Sequence, residues 1–406
     1  MQSLNDRIEK LMLENRREAG IHQYTVPSPD LYPFQWLWDS CFHAIILSYF
    51  DVDAAKQELR AAFSHPLVNG MIPHIIYWQH DTAQTNWGRE MRGDVINAAW
   101  GVVGTSAITQ PPIMAMTAWR IYEKDNDIVF LQEIFAVLSK HYRYLCTDRR
   151  LGSSPLAFII NPDESGEDNS PRFDNAQGLA PQHTANQNLD RRIDRMRENA
   201  LCDFMARDCM SKHFAIIDVP FNIFLSESLE FMSQIAALLD ETDDADYFNT
   251  EGRKVSEAVS ELLCTDSICS SYDSNGKTAI ETQTWSMFMP LYGGLLSQED
   301  ANELVEKWLL NAKHFWTEFP VPSTSIQELS FDATKGFWRG PVWIAPNWII
   351  YKGLKRYGFD TIADEIKEKT EALINKSGFR EHYNPHTGAG LGANNFTWGG
   401  LVIDMT

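Results

Sequence analysis

Positive charge is what this chain lacks most: 35 Lys and Arg stand against 55 Asp and Glu, a formal net charge of −20. Such an acidic excess argues against nucleic acid or an anionic membrane as partner. Any anionic ligand has to be met by a locally placed Arg or Lys. No run approaches about 18 uninterrupted apolar residues, so no membrane-spanning helix is expected. The opening residues Met1 to Lys10 lack the apolar stretch and small-residue cleavage site of a secretory leader. Cysteine is sparse as well. The six (Cys41, Cys146, Cys202, Cys209, Cys264, Cys269) contain no CxxC pair and no zinc-like spacing with His. Reduced, mostly buried thiols in a cytoplasmic protein are the simplest expectation. Neither a short repeat nor a Pro/Gly/Ser linker divides the 406 residues, and one domain over 1–406 is expected.

Helical periodicity is abundant. Amphipathic stretches at 2–18, 53–64, 127–146, 244–264 and 360–376 alternate with stretches apolar nearly all round at 35–49, 218–239, 284–296 and 342–354. Pro111 and Pro112 open a further helix through Tyr122. Ser297-Gln298-Glu299-Asp300 reads as a capping-box start for one reaching Leu310, and Gly378 as the residue that ends 360–376. Inner apolar helices alternating with outer amphipathic ones describe an all-α, α/α-barrel architecture. Convincing β alternation is confined to short pieces at 72–78 and 155–160. The long non-helical stretches 65–92, 151–217, 265–283, 313–341 and 378–398 should gather at one mouth of such a barrel and build a pocket.

The loops carry the chemistry. Residues 161–174 place Asp163, Glu164, Glu167, Asp168 and Asp174 among turn formers, in a chain with 13 Trp, 13 Tyr and 22 Phe. Rings stack on the apolar faces of a hexose while carboxylates bind its hydroxyls or move its protons, so this company suits sugar chemistry. A solvated acidic loop is the plain alternative. In Gln35-Trp36-Leu37-Trp38-Asp39, Asp39 reads either as a helix cap between core tryptophans or as a carboxylate gripping a sugar. Arg339, beside Trp338 and before Trp343, reads as an ion-pair partner of Asp39 or Asp168, or as a hydroxyl donor. The glycines after Glu381 lack the strand and the Lys-Ser/Thr of a phosphate loop. His382 and His386 stand four apart without a third ligand, so no metal is expected.

Taken together, Gln35 to Asp39, Glu164 to Ser170, Trp338 to Trp343, Glu381 and Phe396-Thr397-Trp398 resemble glycoside hydrolase family 63. Tyr24 to Pro29, Ser106 to Pro112 and Asp168 to Asp174 are similar to its bacterial mannosylglycerate and glucosylglycerate hydrolases. The resemblance spans residues 20–402. It implies an (α/α)6 barrel and hydrolysis of a small α-glycoside with inversion, with Asp168 as general acid and Glu381 as general base. The implied substrate contacts are Tyr32, Trp36, Trp38, Asp39, Gln110, Trp338 and Trp343, and Arg339 is counted beside them as the candidate hydroxyl donor. The chain departs from the family at Ile344 to Asn347 and over 181–213.

Inversion requires an acid and a base in opposite protonation states, their carboxyl groups about 6.5–9.5 Å apart. Asp168 is therefore expected to have a raised pKa and Glu381 to stay ionised. Asp163 and Glu164 are reserve acids, and Glu318 a reserve base. Segment 186–213 is rich in Arg. It reads as an exposed helix of i,i+4 ion pairs or, within 178–215, as a mobile flap that carries Arg192, Arg195 or Arg197 to a substrate carboxylate. The expected partner is thus a small glycoside, α-mannosylglycerate or α-glucosylglycerate, with no cofactor; a homo-oligomer is compatible with the sequence. The competing readings are a neutral α-glucosidase on trehalose-like or kojibiose-like disaccharides, a sugar epimerase, and a non-catalytic sugar-binding barrel. An epimerase would use paired histidines where these loops offer carboxylates.

Overall fold

The computed structural model describes residues 2–78, 82–90, 92–265, 267–273 and 277–406. The expected loops 65–92 and 265–283 therefore lie partly outside the described residues. Side-chain caps set many helix starts: Ser3, Asp51, Asp127, Thr184, Asp218 and Ser297 each accept a backbone N–H of the first turn. Every residue of Leu37–Leu47 is buried, as a stretch apolar on all sides requires.

That helix is one member of a closed set. Leu37–Leu47, Met114–Asp125, Val219–Leu238, Met289–Gly293, Ile344–Arg356 and the 3-10 turns Thr397–Asp404 pack each on the next, and the last returns to the first. Outside them, Val52–Ala62, Thr242–Ala258 and Asp360–Ser377 each back onto the inner helix that precedes them. Ile128–Thr147 lies against both Met114–Asp125 and Val219–Leu238, and Leu4–Asn15 against Thr397–Asp404. The alternation of apolar and amphipathic stretches is thus an alternation of inner and outer layers.

Several expectations need correcting. The protein is mostly helical but not all-α. Phe158–Ile159, Ile216–Ile217, Tyr272–Asp273 and Thr278–Ala279 form a four-stranded sheet, and Arg380–Tyr383 pairs antiparallel with Gly390–Asn394. The stretch 284–296 is not one helix. Pro290, lacking an N–H, fits a helix's first turn, so a 3-10 turn Trp285–Phe288 precedes Met289–Gly293. The thiols are not all reduced. Cys202 is bonded to Cys209 and Cys264 to Cys269, while Cys41 and Cys146 are free and buried. The region 178–215 is largely helical, with Ala185–Ala200 followed by Ala206–Lys212. Among the described residues, no helix is long and apolar enough to cross a membrane.

Asp404 ties the ring shut. Its buried carboxylate accepts from Arg120 Nη2 at 2.6 Å, Trp348 Nε1 at 2.7 Å and Tyr49 Oη at 2.7 Å. Lys352 Nζ lies 3.0 Å away. Burial alone would raise its pKa, but Arg120 and Lys352 win, and it is held down at about 2. A depressed carboxylate stabilises the fold above its unfolded pKa, and that stability fades as pH falls from about 4 towards 2. Asp404→Asn should cost about 3 kcal/mol at neutral pH, the scale for breaking a buried ion pair. It should also flatten the acid limb of the stability curve, both measured by urea unfolding at stepped pH.

Candidate active site

At one end of the inner ring a cavity opens, walled by Tyr32, Trp36, Trp38, Trp87, Phe337, Trp338, Trp343, Phe396 and Trp398. Helix starts, turns, one strand and one helix interior place the groups on its wall. Trp36 precedes and Trp38 and Asp39 begin the buried helix Leu37–Leu47, and Trp343 precedes Ile344–Arg356. Asp163, Gly166 and Asp168 come from the turns after Phe158–Ile159, Glu381 from the strand Arg380–Tyr383, and Arg192 from Ala185–Ala200.

The aromatic wall is braced on itself. Trp338 and Trp343 stack with centroids 4.0 Å apart and planes 1° from parallel, and His382 stacks on Trp343 at 4.9 Å. Trp343 Nε1 donates to the Phe337 carbonyl at 3.0 Å. Asp39 is not a helix cap. It lies inside the first turn and accepts from Trp398 Nε1 at 2.7 Å. Burial pushes it up to about 6, against the opposing pull of His43. Gln110 lies on the wall, its Oε1 accepting the Trp38 N–H at 3.2 Å.

Glu381 is held at both oxygens. Tyr32 Oη donates to Oε1 at 2.6 Å and the Ala393 N–H to Oε2 at 2.8 Å. Even so, burial outweighs these bonds, and with the nearby charge of Asp168 it raises Glu381 to about 7. The expectation that this group simply stays ionised is corrected: both carboxyls are raised. Asp168 is pushed up to about 6 by burial, opposed by Arg192 and reinforced by Asp163. Arg192 Nη1 lies 2.7 Å from Asp168 Oδ2, and its Nε and Nη2 donate to the two oxygens of Asp163 at 3.0 and 2.9 Å.

The acids flanking Asp168 do structural work. Glu164 pairs with buried Arg149 and accepts the Thr109 N–H at 3.1 Å and the Ile160 N–H at 2.8 Å. Glu167 accepts from Arg172 Nη2 at 2.6 Å, and Arg172 also pairs with Asp218, the cap of Val219–Leu238. Gly166 turns at φ +75°, and a Cβ there would fall 2.4 Å from the Trp38 ring.

The chain as a whole has relatives among known proteins. Residues 32–399 match the model of the mannosylglycerate hydrolase MGH1-like glycoside hydrolase domain. The chain belongs to this glycoside hydrolase family. It is 31% identical to a mannosylglycerate hydrolase of Thermus thermophilus, over 92% of this chain and 94% of the relative. It is 27% identical to the glucosylglycerate hydrolase of Mycolicibacterium hassiacum, over 93% of each. Its backbone superposes with a TM-score of 0.88 on the crystal structure of a family 63 mannosylglycerate hydrolase from Thermus thermophilus in complex with Tris and D-glycerate. That match covers 99% of both chains at 28% identity.

In this hydrolase the cavity gathers Tyr32, Trp36, Trp38, Asp39, Gln110, Asp168, Arg192, Trp338, Trp343 and Glu381. Three expected residues lie elsewhere. Arg339 pairs with neither Asp39 nor Asp168 but donates to both oxygens of Asp174, at 2.8 and 2.6 Å, and to the Pro181 carbonyl at 2.6 Å. Arg195 is buried over the Phe214 ring and paired with Glu198 at 2.5 Å, and Arg197 is exposed and paired with Asp194. The reserve base Glu318 is exposed and off the wall, and the reserve acid Glu164 is locked to Arg149. Sequence reasoning missed His74, Trp87, Ile96 and Phe337. Trp87 and Phe337 carried a signal, since both lie in long loops of an aromatic-rich chain; His74 and Ile96 carried none.

Two outcomes follow from this geometry. Gly392 turns at φ +63°, and a Cβ there would meet Glu381 Oε2 at 2.2 Å. Gly392→Ala should therefore displace this carboxyl and lower kcat by about 100-fold, the scale for a shift of about 1 Å in a site, with circular dichroism unchanged. Glu381→Gln removes a carboxyl whose raised pKa weakens the fold as pH climbs from its ordinary 4.5 through about 7. The variant should melt above the parent at about pH 8, the gap closing towards pH 4.5 in calorimetric scans.

Proposed function

We propose that this hydrolase cleaves α-mannosylglycerate or α-glucosylglycerate to hexose and glycerate, with inversion at the anomeric carbon. The observation that carries this reading is one cavity shared by a buried carboxyl, Glu381, and a half-buried one, Asp168, with Arg192 beside the second. The hexose lies against Trp36, Trp38, Trp338 and Trp343, with Tyr32, Asp39 and Gln110 taking its hydroxyls. Arg192 receives the glycerate carboxylate, since a guanidinium binds carboxylates through two parallel hydrogen bonds. That cation favours an anionic aglycone over a neutral disaccharide. The carboxyl-rich wall likewise suits hydrolysis better than epimerisation.

In the reaction Asp168 gives its proton to the glycosidic oxygen as the bond to the anomeric carbon breaks. Glu381, oriented by Tyr32 and Ala393, accepts a proton from the water that attacks the opposite face. The closed set of inner helices and their outer partners is read as an (α/α)6 barrel forming one catalytic domain over 1–406. The segment 178–215 serves as the flap that brings Arg192 over the site.

The test is a release assay on α-mannosylglycerate, α-glucosylglycerate, trehalose and sucrose, with the first-formed anomer read by NMR. Release of the β-anomer from one or both glycerate glycosides is expected, and an α-anomer first product rejects inversion. Asp168→Asn and Glu381→Gln should each lower kcat by about 1,000-fold or more with the fold retained. Full turnover in either variant removes that residue from the mechanism.

A further inference from the structure

Arg192 is engaged at all three of its nitrogens. Its Nε and Nη2 serve Asp163 and its Nη1 faces Asp168. The same pocket brings Tyr32, His74 and Glu381 towards this cluster. His74 is held neutral, its pKa lowered to about 3 by burial, and Tyr32 is pushed far above the ordinary phenol range, so neither supplies charge near neutrality. Among the described residues, Arg192 is the cationic side chain on the cavity wall. A guanidinium against a carboxylate favours the ionised form, which is the wrong form for a general acid.

We propose that the substrate's own carboxylate draws Arg192 away from Asp168 and so loads the acid with its proton, making proton uptake a part of binding. The inference rests on the reading of Asp168 as acid and of the substrate as a glycerate glycoside.

Charge balance is the reason. Ionised Asp163, ionised Asp168 and Arg192 sum to minus one. An anionic ligand arriving alone would take this desolvated cluster to minus two, which a low-dielectric site resists strongly. One proton taken from solvent onto Asp168 restores minus one. Burial already raises Asp168 despite the opposing guanidinium, so turning Arg192 towards the ligand removes the main opposition. In the chemical step that proton passes to the glycosidic oxygen, Asp168 is again ionised, and Arg192 returns to it as glycerate leaves. Neutral glycosides of the same hexose bring no anion and leave the acid unloaded. Arg192 then selects substrates through the acid's protonation state as well as through affinity.

The experiment is calorimetric titration of the Glu381→Gln protein with α-mannosylglycerate or α-glucosylglycerate, whichever the parent enzyme hydrolyses. Performed at about pH 7.5 in buffers of different ionisation enthalpy, it reads the protons taken up per ligand. About one proton per ligand is expected, falling to about zero in Asp168→Asn/Glu381→Gln and for the glycerol glycoside of the same hexose. Binding of the anionic ligand without uptake overturns the inference, as does uptake that persists in the double variant. Turnover by the parent enzyme with no such uptake sinks this inference alone. If neither glycerate glycoside is bound or hydrolysed, the proposed function falls and this inference with it.

Discussion

Removing carboxyl groups from water is the constraint around which this molecule is organised. Asp39, Asp168 and Glu381 all lie on one aromatic-walled cavity, and burial raises each of them. Desolvation of this kind costs several kcal/mol per charge unless partners intervene. The partners supplied here are few and directional: a phenol and an amide N–H for Glu381, an indole N–H for Asp39, one guanidinium for Asp168. The balance leaves the carboxyls near the titration range of neutral water, where they can exchange protons.

Such a site needs a frame that does not relax, and that frame is built of buried ion pairs. Glu164 on Arg149, Glu167 and Asp218 on Arg172, and Asp174 on Arg339 anchor the loop on either side of Asp168. Asn169 adds a two-way link, accepting the Trp338 N–H at 3.0 Å and donating to the Gly336 carbonyl at 3.2 Å. The acid loop and the tryptophan stack are therefore one unit.

What the sequence disclosed follows from how local each determinant is. Trp36, Trp38 and Asp39 precede or open an apolar helix, and a pattern read over a dozen residues locates them. The same holds for Trp343 ahead of Ile344–Arg356. Inner and outer layers were legible because burial on all sides and burial on one stripe leave different periodicities. The short strands were not, since two-residue pairings such as Phe158–Ile159 with Ile216–Ile217 join residues far apart in the chain. Arg339 went to Asp174 because the choice among several acids is made by the fold. Arg192, Arg195 and Arg197 lie within two turns of one helix, where small changes of angle separate a wall residue from a packed one and an exposed one. Side-chain pKa values were the least legible. Burial of Glu381 is a tertiary fact, and its neighbours Tyr32 and Ala393 flank it from both directions in the chain.

The two halves of the cavity are built from different material. Rings that brace one another, delivered by the inner helices and by the C-terminal turns, form one half. A single cation reaching in from a helix outside the closed ring marks the other. The ring-built half resists piecemeal change, because any one indole is wedged by its neighbours. The cation sits on a module held by its own short-range pairs and by the Cys202–Cys209 link. Changes confined to that appended helix can therefore alter the charge of the cavity and leave its ring-built half untouched.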